Sequence, residues 1–361
     1  MREKILTLVI ILVVFVAGVL GTLYFVNQND KAEASGPHQN VTVSESDSLN
    51  TAIEKIYDAV VVVQSYSRGQ QTSSGSGFVY KKEGNYAYIM TNYHVVEGAS
   101  EVNVVSMSGE TISAEVLGGD SYADIAVLRV DGDKVTAVAE IGDSTQSKIG
   151  DTVFTVGTPV DSQYIGTVTK GILSSETRTI TVSDSTKGEY MMEVLQTDAS
   201  INPGNSGGPL VNINGEVIGI TSMKLVTDEI EGMGFAIPIE VAMSQVEKLE
   251  NGEEIERPYI GVSMYDVSNV AMLYRNNIEL DDSIEEGVVI SEVESGSPAA
   301  EAGLQANDII VEADGTEVKN GAHFKYILYN HNIGDSVKLT INRNGKQQEL
   351  TLRLTETMGN N

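Results

Sequence analysis

The longest apolar segment of the chain lies at its N-terminus, where residues 5–26 contain no charged side chain. As a helix this segment would be about 33 Å long, enough to cross the hydrocarbon core of a bilayer. Arg2 and Lys4 precede it, so residues 1–4 are predicted to stay in the cytoplasm and the remainder to lie outside. The alternative is a cleaved signal peptide, since residues 32–34, Ala-Glu-Ala, resemble a cleavage site. The length of the apolar run favours an uncleaved, single-pass anchor in the cell membrane.

The pattern changes twice after this segment. Residues 27–50 are rich in Ser, Asn, Asp, Glu and Gln, which predicts a flexible tether. Residues 51–247 instead show short β-branched runs separated by Gly, Asp, Asn and Ser. Repeated short strands with turn signals predict a barrel or a sandwich, closed by a short helix at residues 239–249. The runs are Ala59–Gln64, Gly77–Tyr80, Val102–Val105, Ile125–Val130, Thr152–Val156 and Val217–Ile220.

A polar and mostly charged stretch, residues 248–257, predicts a linker to a second domain over residues 258–355 and a short tail, 356–361. The chain carries 23 Lys and Arg against 51 Asp and Glu, a formal net charge of -28. Such a surface repels phosphates and excludes a nucleic-acid partner. There is no cysteine, so no disulfide stabilises the fold. No His/Glu metal motif occurs, and neither a metal nor a cofactor is predicted.

A glycine-rich stretch, residues 202–210, reads Asn-Pro-Gly-Asn-Ser-Gly-Gly-Pro-Leu. Its glycines allow positive φ and close approach of a ligand. A serine in such a loop, here Ser206, exposes its hydroxyl and aims nearby backbone N–H groups at one point, as a serine nucleophile requires. Clusters of Gly, Asn, Ser and Pro also form plain turns, so this stretch alone leaves both interpretations open.

A serine nucleophile needs a base, and the base needs an orienting group. Of the four histidines, His94 follows a β-rich run, residues 86–93. Asp124 precedes an apolar run, residues 125–128, which predicts a carboxylate at the start of a buried strand; an imidazole N–H would satisfy it. Singly, each residue also has a purely structural interpretation. Together they stand in the order His94, Asp124, Ser206, which is that of chymotrypsin-type proteases and favours catalysis.

The sequence resembles the HtrA (DegP-like) family of serine proteases, in the membrane-anchored bacterial form with one PDZ domain. The resemblance covers nearly everything after about residue 50 and is carried by residues 91–96, 123–128, 196–199, 204–208 and 234–238. It implies a mostly-β fold with a chymotrypsin-like protease domain of two six-stranded β-barrels, followed by an α+β PDZ domain. His94 and Asp124 would come from the first barrel and Ser206 from the second.

The resemblance also implies the roles of the neighbouring residues. The backbone N–H groups of Gly204 and Ser206 would form the oxyanion hole, with the N–H of Asn205 nearby. Ser200 stands where trypsin-type enzymes carry an aspartate, so cleavage after Lys or Arg is not expected. The specificity pocket would instead select small or medium aliphatic residues, although its lining residues could equally be ordinary core side chains. These are Ile201, Leu225 and Met233.

In the PDZ domain the carboxylate-binding loop would lie at Tyr259, Ile260, Gly261 and Val262, where a peptide C-terminus would bind and extend the sheet. The alternative for these four residues is a strand that contains one glycine. Asn307 stands where the family more usually has glycine, and asparagine tolerates the left-handed backbone that such a turn needs.

The family resemblance further implies a homotrimer that degrades unfolded or misfolded proteins outside the cytoplasm. Two loops, residues 162–166 and 223–233, would order the oxyanion hole when peptide binds. Two alternatives remain open: a membrane-tethered chaperone with an inactive protease fold, and a PDZ docking protein in which proteolysis is incidental.

Overall fold

The computed structural model describes residues 16–20, 22, 45–158, 166–184, 186–225, 232–278, 280 and 284–358. Most of the predicted membrane anchor, residues 5–26, therefore lies outside the described residues. Residues 16–20 and 22 are helical and exposed, and they belong to an N-terminal unit that ends at Glu45. Within the described ranges, the structure contains no helix that is both long and apolar enough to span a bilayer.

Helix α1, Glu45–Tyr57, leads into the first domain. Its apolar residues recur with helical spacing and pack against the protein core, namely Leu49, Ala52, Ile53 and Ile56. Burial of this stripe stabilises a helix where composition alone predicts a flexible chain. Residues 45–50 are consequently helical, and the predicted tether, residues 27–50, is too long at its C-terminal end.

Six antiparallel strands form the first barrel. They are β1 Val60–Ser67, β2 Gln70–Glu83, β3 Tyr86–Thr91, β4 Glu101–Ser106, β5 Thr111–Asp120 and β6 Ile125–Asp131. The barrel closes in the order β1-β2-β3-β6-β5-β4. Because successive side chains on a strand point to opposite faces, one set fills the interior, including Val63, Ile89 and Leu128. A one-turn helix, α2 Tyr93–Val96, follows β3 at one end of the barrel.

The next seven strands form one sheet, and six of them close the second barrel. They are β7 Glu140–Ile141, β8 Thr152–Gly157, β9 Thr167–Asp184, β10 Gly188–Thr197, β11 Pro209–Asn212, β12 Glu216–Thr221 and β13 Gly234–Pro238. Six of them close a ring in the order β11-β8-β9-β10-β13-β12 through the β11–β12 pairing, and β7 adds in parallel to β12. Helix α3, Ile239–Glu250, follows β13 where a closing helix is predicted.

The second domain has its own sheet and its own core. Its elements are β14 Pro258–Tyr259, β15 Val262–Asp266, α4 Val270–Arg275, β16 Val288–Val293, α5 Pro298–Glu301, β17 Ile309–Ala313, β18 Thr316–Glu317, α6 Gly321–Tyr329, β19 Ser336–Arg343, β20 Lys346–Arg353 and β21 Glu356–Thr357. The sheet runs β15-β16-β17-β19-β20, and Phe324 and Leu339 are fully buried beneath it. The mostly-β, two-domain architecture predicted from the sequence is confirmed.

Polar and aromatic contacts join the two domains. The Arg257 guanidinium donates to Asp120 Oδ2 at 2.6 Å and stacks over the Tyr122 ring, 4.6 Å from its centroid. Lys325, on α6, donates to the backbone carbonyl of Glu189 on β10 at 3.1 Å. The second domain therefore contacts β10, and the linker residue Arg257 contacts the segment that leads from β5 to β6.

Candidate active site

His94 and Asp124 meet at one end of the first barrel. His94 lies in α2 directly after β3, Asp124 directly precedes β6, and β3 and β6 pair antiparallel, with Thr91 opposite Ala126. His94 Nδ1 lies 2.9 Å from Asp124 Oδ2 and 3.0 Å from Oδ1. The backbone N–H of His94 also donates to Asp124 Oδ1 at 3.0 Å. The imidazole is thus held through Nδ1, which leaves Nε2 for proton transfer.

The Asp124 carboxylate is 1% exposed and depends on protein donors. Ser222 Oγ donates to its Oδ2 at 2.8 Å, and Asn92 Nδ2 donates to its backbone carbonyl at 2.8 Å. Asp124 has a φ of 57°, a left-handed conformation that aspartate tolerates better than most residues and that is concentrated at functional sites. Sequence reasoning missed Ser222, because a serine after an apolar strand carries no local signal.

Ser206 lies in the loop between β10 and β11 and is 4% exposed. The glycines around it are required by space as well as by conformation. At Gly207, where φ is 85°, an added Cβ would lie 2.2 Å from the Ser76 carbonyl oxygen and 2.3 Å from Thr91 Oγ1. Gly204 has a φ of 101°. The nucleophile loop is therefore pressed against the first barrel, which brings Ser206 to the side where His94 lies.

The Ser206 hydroxyl is engaged by the polypeptide itself. Its Oγ accepts a hydrogen bond from the backbone N–H of Met223 at 3.1 Å, in the one-turn 3-10 helix Met223–Leu225. No hydrogen bond links Ser206 to His94 in the described part of the chain. Catalytic hydrogen bonds are often long or poorly aligned without substrate, so the carboxylate–imidazole pair is assembled here while the serine is turned toward the 3-10 turn.

The three candidate oxyanion-hole residues differ in their hydrogen bonding. The Asn205 N–H donates to the Asn202 carbonyl at 2.9 Å and is therefore occupied within the loop. The N–H groups of Gly204 and Ser206 have no acceptor among the described residues. Among the described residues, these two are therefore the unpaired N–H groups of the three candidates.

The predicted pocket residues differ in their surroundings. An added Cβ at Gly234 would lie 2.6 Å from Ile201 Cγ1, so Ile201 occupies the space beside this glycine. Leu225 is only 1% exposed, and Met233 is partly buried; both pack in the protease core. Ser200 is exposed, and its backbone carbonyl accepts a hydrogen bond from the side-chain Nδ2 of Asn205 at 3.3 Å.

A small charge network lies behind the site. Asp184 pairs with Lys224 at 3.0 Å and with Lys187 at 3.7 Å. Hydrogen bonds from the hydroxyl and N–H of Thr186 hold the pKa of Asp184 well below its usual range. Burial, reinforced by repulsion from Lys224, lowers the pKa of Lys187, while attraction to acids that include Asp124 opposes this. The network ties the β9–β10 hairpin to the turn that contacts Ser206.

The predicted PDZ carboxylate loop joins β14 to β15 and consists of Tyr259, Ile260, Gly261 and Val262. Gly261 has a φ of 71°, and an added Cβ would lie 2.3 Å from Ser297 Cβ. Its carbonyl accepts the N–H of Glu294 at 2.9 Å. The four residues therefore form a glycine-dependent turn at the start of β15, rather than one continuous strand.

Comparisons with known proteins agree with this arrangement. Residues 75–220 match a family model described as a trypsin-like peptidase domain, and residues 258–354 match a PDZ domain. The chain is 38% identical to the serine protease Do-like HtrA of Lactococcus lactis subsp. cremoris, over 92% of this chain and 88% of the relative. It is 45% identical to the serine protease Do-like HtrA of Bacillus subtilis, over 80% of this chain and 65% of the relative. The crystal structure of the serine endoprotease from Yersinia pestis matches with a TM-score of 0.64 and 30% identity, over 86% of this chain and 98% of that one.

Proposed function

The chain belongs to the HtrA family of serine proteases, and we propose that it degrades unfolded or misfolded proteins outside the cytoplasm with a triad of His94, Asp124 and Ser206. The observation that carries the triad assignment is the buried Asp124 carboxylate held 2.9 Å from His94 Nδ1, with the glycine-framed Ser206 loop pressed against the same barrel. A protein quality-control role fits a protease domain that is joined to a PDZ domain, because PDZ domains bind extended peptide segments.

Catalysis would begin with attack of Ser206 Oγ on the scissile carbonyl carbon while His94 Nε2 takes the hydroxyl proton. Asp124 holds the imidazole with Nδ1 protonated and stabilises the imidazolium that forms. His94 then gives its proton to the departing amine as the C–N bond breaks, leaving an acyl group on Ser206. Water, activated by His94, attacks this ester and releases the second product with the free serine.

The tetrahedral intermediate carries a negative oxygen, which the N–H groups of Gly204 and Ser206 would receive. Removing one such donor typically lowers turnover by about 10²–10³-fold. Asn205 would act through its loop geometry, because its own N–H already donates to Asn202.

Substrate binding must also release the serine from its resting contact. The hydrogen bond from the Met223 N–H uses a lone pair of Ser206 Oγ and holds this side chain against the turn, while the hydroxyl proton itself stays available to His94. The turn Met223–Leu225 begins one of the two loops proposed to switch on peptide binding, residues 223–233, whereas residues 159–165, which contain most of the other, lie outside the described residues. In the proposed homotrimer, peptide-dependent ordering of these loops would free the hydroxyl.

Selectivity for small or medium aliphatic residues is supported by Ile201 beside Gly234. A branched side chain that fills part of the pocket favours Val, Ala or Leu over longer or charged residues. Ser200 brings no charge that would pair with Lys or Arg. At the second domain, the turn at residues 259–262 would capture peptide C-termini through its backbone N–H groups.

We place the enzyme at the cell membrane through residues 5–26, with residues 1–4 in the cytoplasm and the catalytic domain outside. The support is the uncharged length of the segment and the basic residues before it. Mass spectrometry of the membrane-extracted chain tests this proposal. An N-terminus beginning after residue 34 would instead indicate signal-peptide cleavage.

The decisive experiment compares casein degradation by the full chain and by Ser206→Ala. The wild type should degrade unfolded casein and react stoichiometrically with a fluorophosphonate probe, and the variant should do neither. An assembled wild-type protein that suppresses aggregation but neither cleaves casein nor reacts with the probe would favour the chaperone alternative.

A further inference from the structure

Ser76, on β2 of the first barrel, makes four hydrogen bonds that join it to the nucleophile loop and its surroundings. Its backbone N–H donates to the Ser206 carbonyl at 2.8 Å, and its Oγ donates to the Gly204 carbonyl at 2.7 Å. The same Oγ accepts the N–H of Thr158 at 3.2 Å, and its own carbonyl accepts from Thr91 Oγ1 at 2.7 Å. The residue is fully buried. We propose that Ser76 is a positioning residue for the oxyanion hole, an inference that rests on the proposed function.

The peptide unit between Gly204 and Asn205 connects Ser76 to the proposed oxyanion hole. Its carbonyl is held by Ser76 Oγ, and its N–H is held by the Asn202 carbonyl at 2.9 Å. With both ends bonded, this peptide plane cannot rotate freely. It lies between the N–H of Gly204 and the N–H of Ser206, the two donors of the proposed oxyanion hole. Fixing it therefore fixes the relative direction of both donors before substrate arrives.

Close packing makes the hydroxyl hard to replace. An added Cβ at Gly157 would lie 3.0 Å from Ser76 Oγ, and one at Gly208 would lie 3.2 Å from Ser76 Cβ. A branched or longer side chain at position 76 does not fit this space. Removal of the hydroxyl would leave the Gly204 carbonyl and the Thr158 N–H without their partner, and a buried unpaired carbonyl favours rotation of its peptide plane.

Thr158 gives the same hydroxyl a second connection. It directly follows β8 and is the last described residue before residue 166, so its N–H belongs to the start of the β8–β9 loop. One oxygen atom therefore receives a hydrogen bond from this loop and donates one to the nucleophile loop. A displacement of Thr158 would reach the Gly204–Asn205 peptide through a single side chain.

The test compares the full chain with Ser76→Ala and with a matched control, Ser144→Ala. Ser144 is also a buried serine of the protease domain, 4% exposed, but its hydroxyl donates to Glu240 on α3 and not to the nucleophile loop. For each protein we would measure kcat and KM on a quenched peptide with an aliphatic residue before the cleaved bond. We would also measure two inhibition constants for each protein. One is for a peptide boronate, which forms a tetrahedral adduct with Ser206, and the other is for the matching product peptide.

For Ser76→Ala we expect kcat to fall about 5- to 50-fold, less than the loss of a donor itself, with KM within about twofold of wild type. The boronate should bind more weakly by a similar factor, and the product peptide should bind unchanged. Ser144→Ala should retain wild-type values. If Ser76→Ala fails to fold, Ser76→Cys, which keeps a weak donor, should show the same selective weakening of the boronate to a smaller degree.

Three results would overturn the inference. Ser76→Ala could match Ser144→Ala in every measurement. Its activity could instead fall only in proportion to the folded fraction, with unchanged kinetics per active site. It could also weaken the product peptide as much as the boronate, which would indicate a general structural role. If Ser206→Ala retained activity, the proposed function itself would fail, and this outcome is distinguishable because it does not involve Ser76.

Discussion

The hydrogen bond from Ser222 to the Asp124 carboxylate can be tested by Ser222→Ala. Asp124 Oδ2 accepts from Ser222 Oγ at 2.8 Å and from His94 Nδ1 at 2.9 Å, in a site that is 1% exposed. Alanine at position 222 removes one of these two side-chain donors. A hydrogen bond to a charged group contributes about 1.5–3 kcal/mol. If half of that is lost in the transition state, kcat falls about three- to twelvefold.

The assay is the hydrolysis of a quenched aliphatic peptide, with kcat and KM determined separately. KM should remain within about twofold, because the Ser222 side chain is committed to Asp124 and only transition-state stabilisation is lost. Urea unfolding should show a destabilisation of about 1 kcal/mol from the remaining, ground-state part of the bond. Ser175→Ala is a matched control, since Ser175 is a buried serine like Ser222. Its hydroxyl donates at 2.8 Å to the backbone carbonyl of Glu176 and not to Asp124.

Two outcomes would refute this reasoning. A kcat for Ser222→Ala equal to that of Ser175→Ala would mean that His94 and its own backbone N–H suffice to orient Asp124. A rise in KM with unchanged kcat would place Ser222 in substrate binding instead of in the support of the carboxylate.

Three further predictions concern the nucleophile loop, the second domain and the charge network. Gly207→Ala should lower kcat/KM at least about 100-fold, because the new Cβ would overlap the Ser76 carbonyl and displace the oxyanion donors; normal kinetics with an intact fold would contradict this. Asn307→Ala should destabilise the PDZ domain by about 1 kcal/mol in urea, since φ is 74° there, whereas Asn307→Gly should not; equal effects would contradict the argument. Asp184→Asn should be less stable than wild type at pH 7, because folding lowers the pKa of Asp184 and its carboxylate therefore stabilises the fold above the unfolded-state pKa. The difference in urea midpoint should narrow below about pH 4, and a gap that is constant with pH would show that ionisation of Asp184 plays no part.

Local pattern predicted short strands in a barrel or a sandwich and the positions of His94, Asp124 and Ser206 on the elements that carry them, whereas the pair of barrels and the PDZ domain followed from the family resemblance. Short β-branched runs predict strands because a pleated, half-buried surface suits those side chains, and the glycines around Ser206 follow from the space and the backbone conformation that the loop needs. The left-handed turn at Asn307 could be predicted for the same reason, and its φ of 74° confirms it. Helix α1 shows the limit, since the polar composition of residues 27–50 predicts a tether, whereas the helix packs on the core through Leu49, Ala52, Ile53 and Ile56.

The supporting residues could not be predicted, because their partners are far away along the chain. Ser222 reaches Asp124 across 98 positions and Ser76 reaches Gly204 across 128. A serine is equally at home in a turn, on a surface or in a buried network, so only the closed barrels decide which hydroxyl meets which carbonyl. Asn205 shows that closeness in sequence is not sufficient either. It is next to Ser206 in the chain, but in the folded loop its N–H already donates to the Asn202 carbonyl.

These distant contacts also divide the three proposed catalytic residues into a pair that is assembled and a serine whose hydroxyl is held elsewhere. The Asp124–His94 pair is supported by rigid strands and by Ser222, so it is assembled without substrate. The Ser206 hydroxyl instead contacts the turn Met223–Leu225, which leads directly into residues 226–231, outside the described ranges. In such an arrangement the acid–base pair is always in place, and only the Ser206 hydroxyl has to leave its contact with Met223 before a peptide is cleaved. On this reasoning, a substrate that displaces the Met223 N–H from Ser206 Oγ should differ from a substrate that does not mainly by a higher kcat, and less by a lower KM.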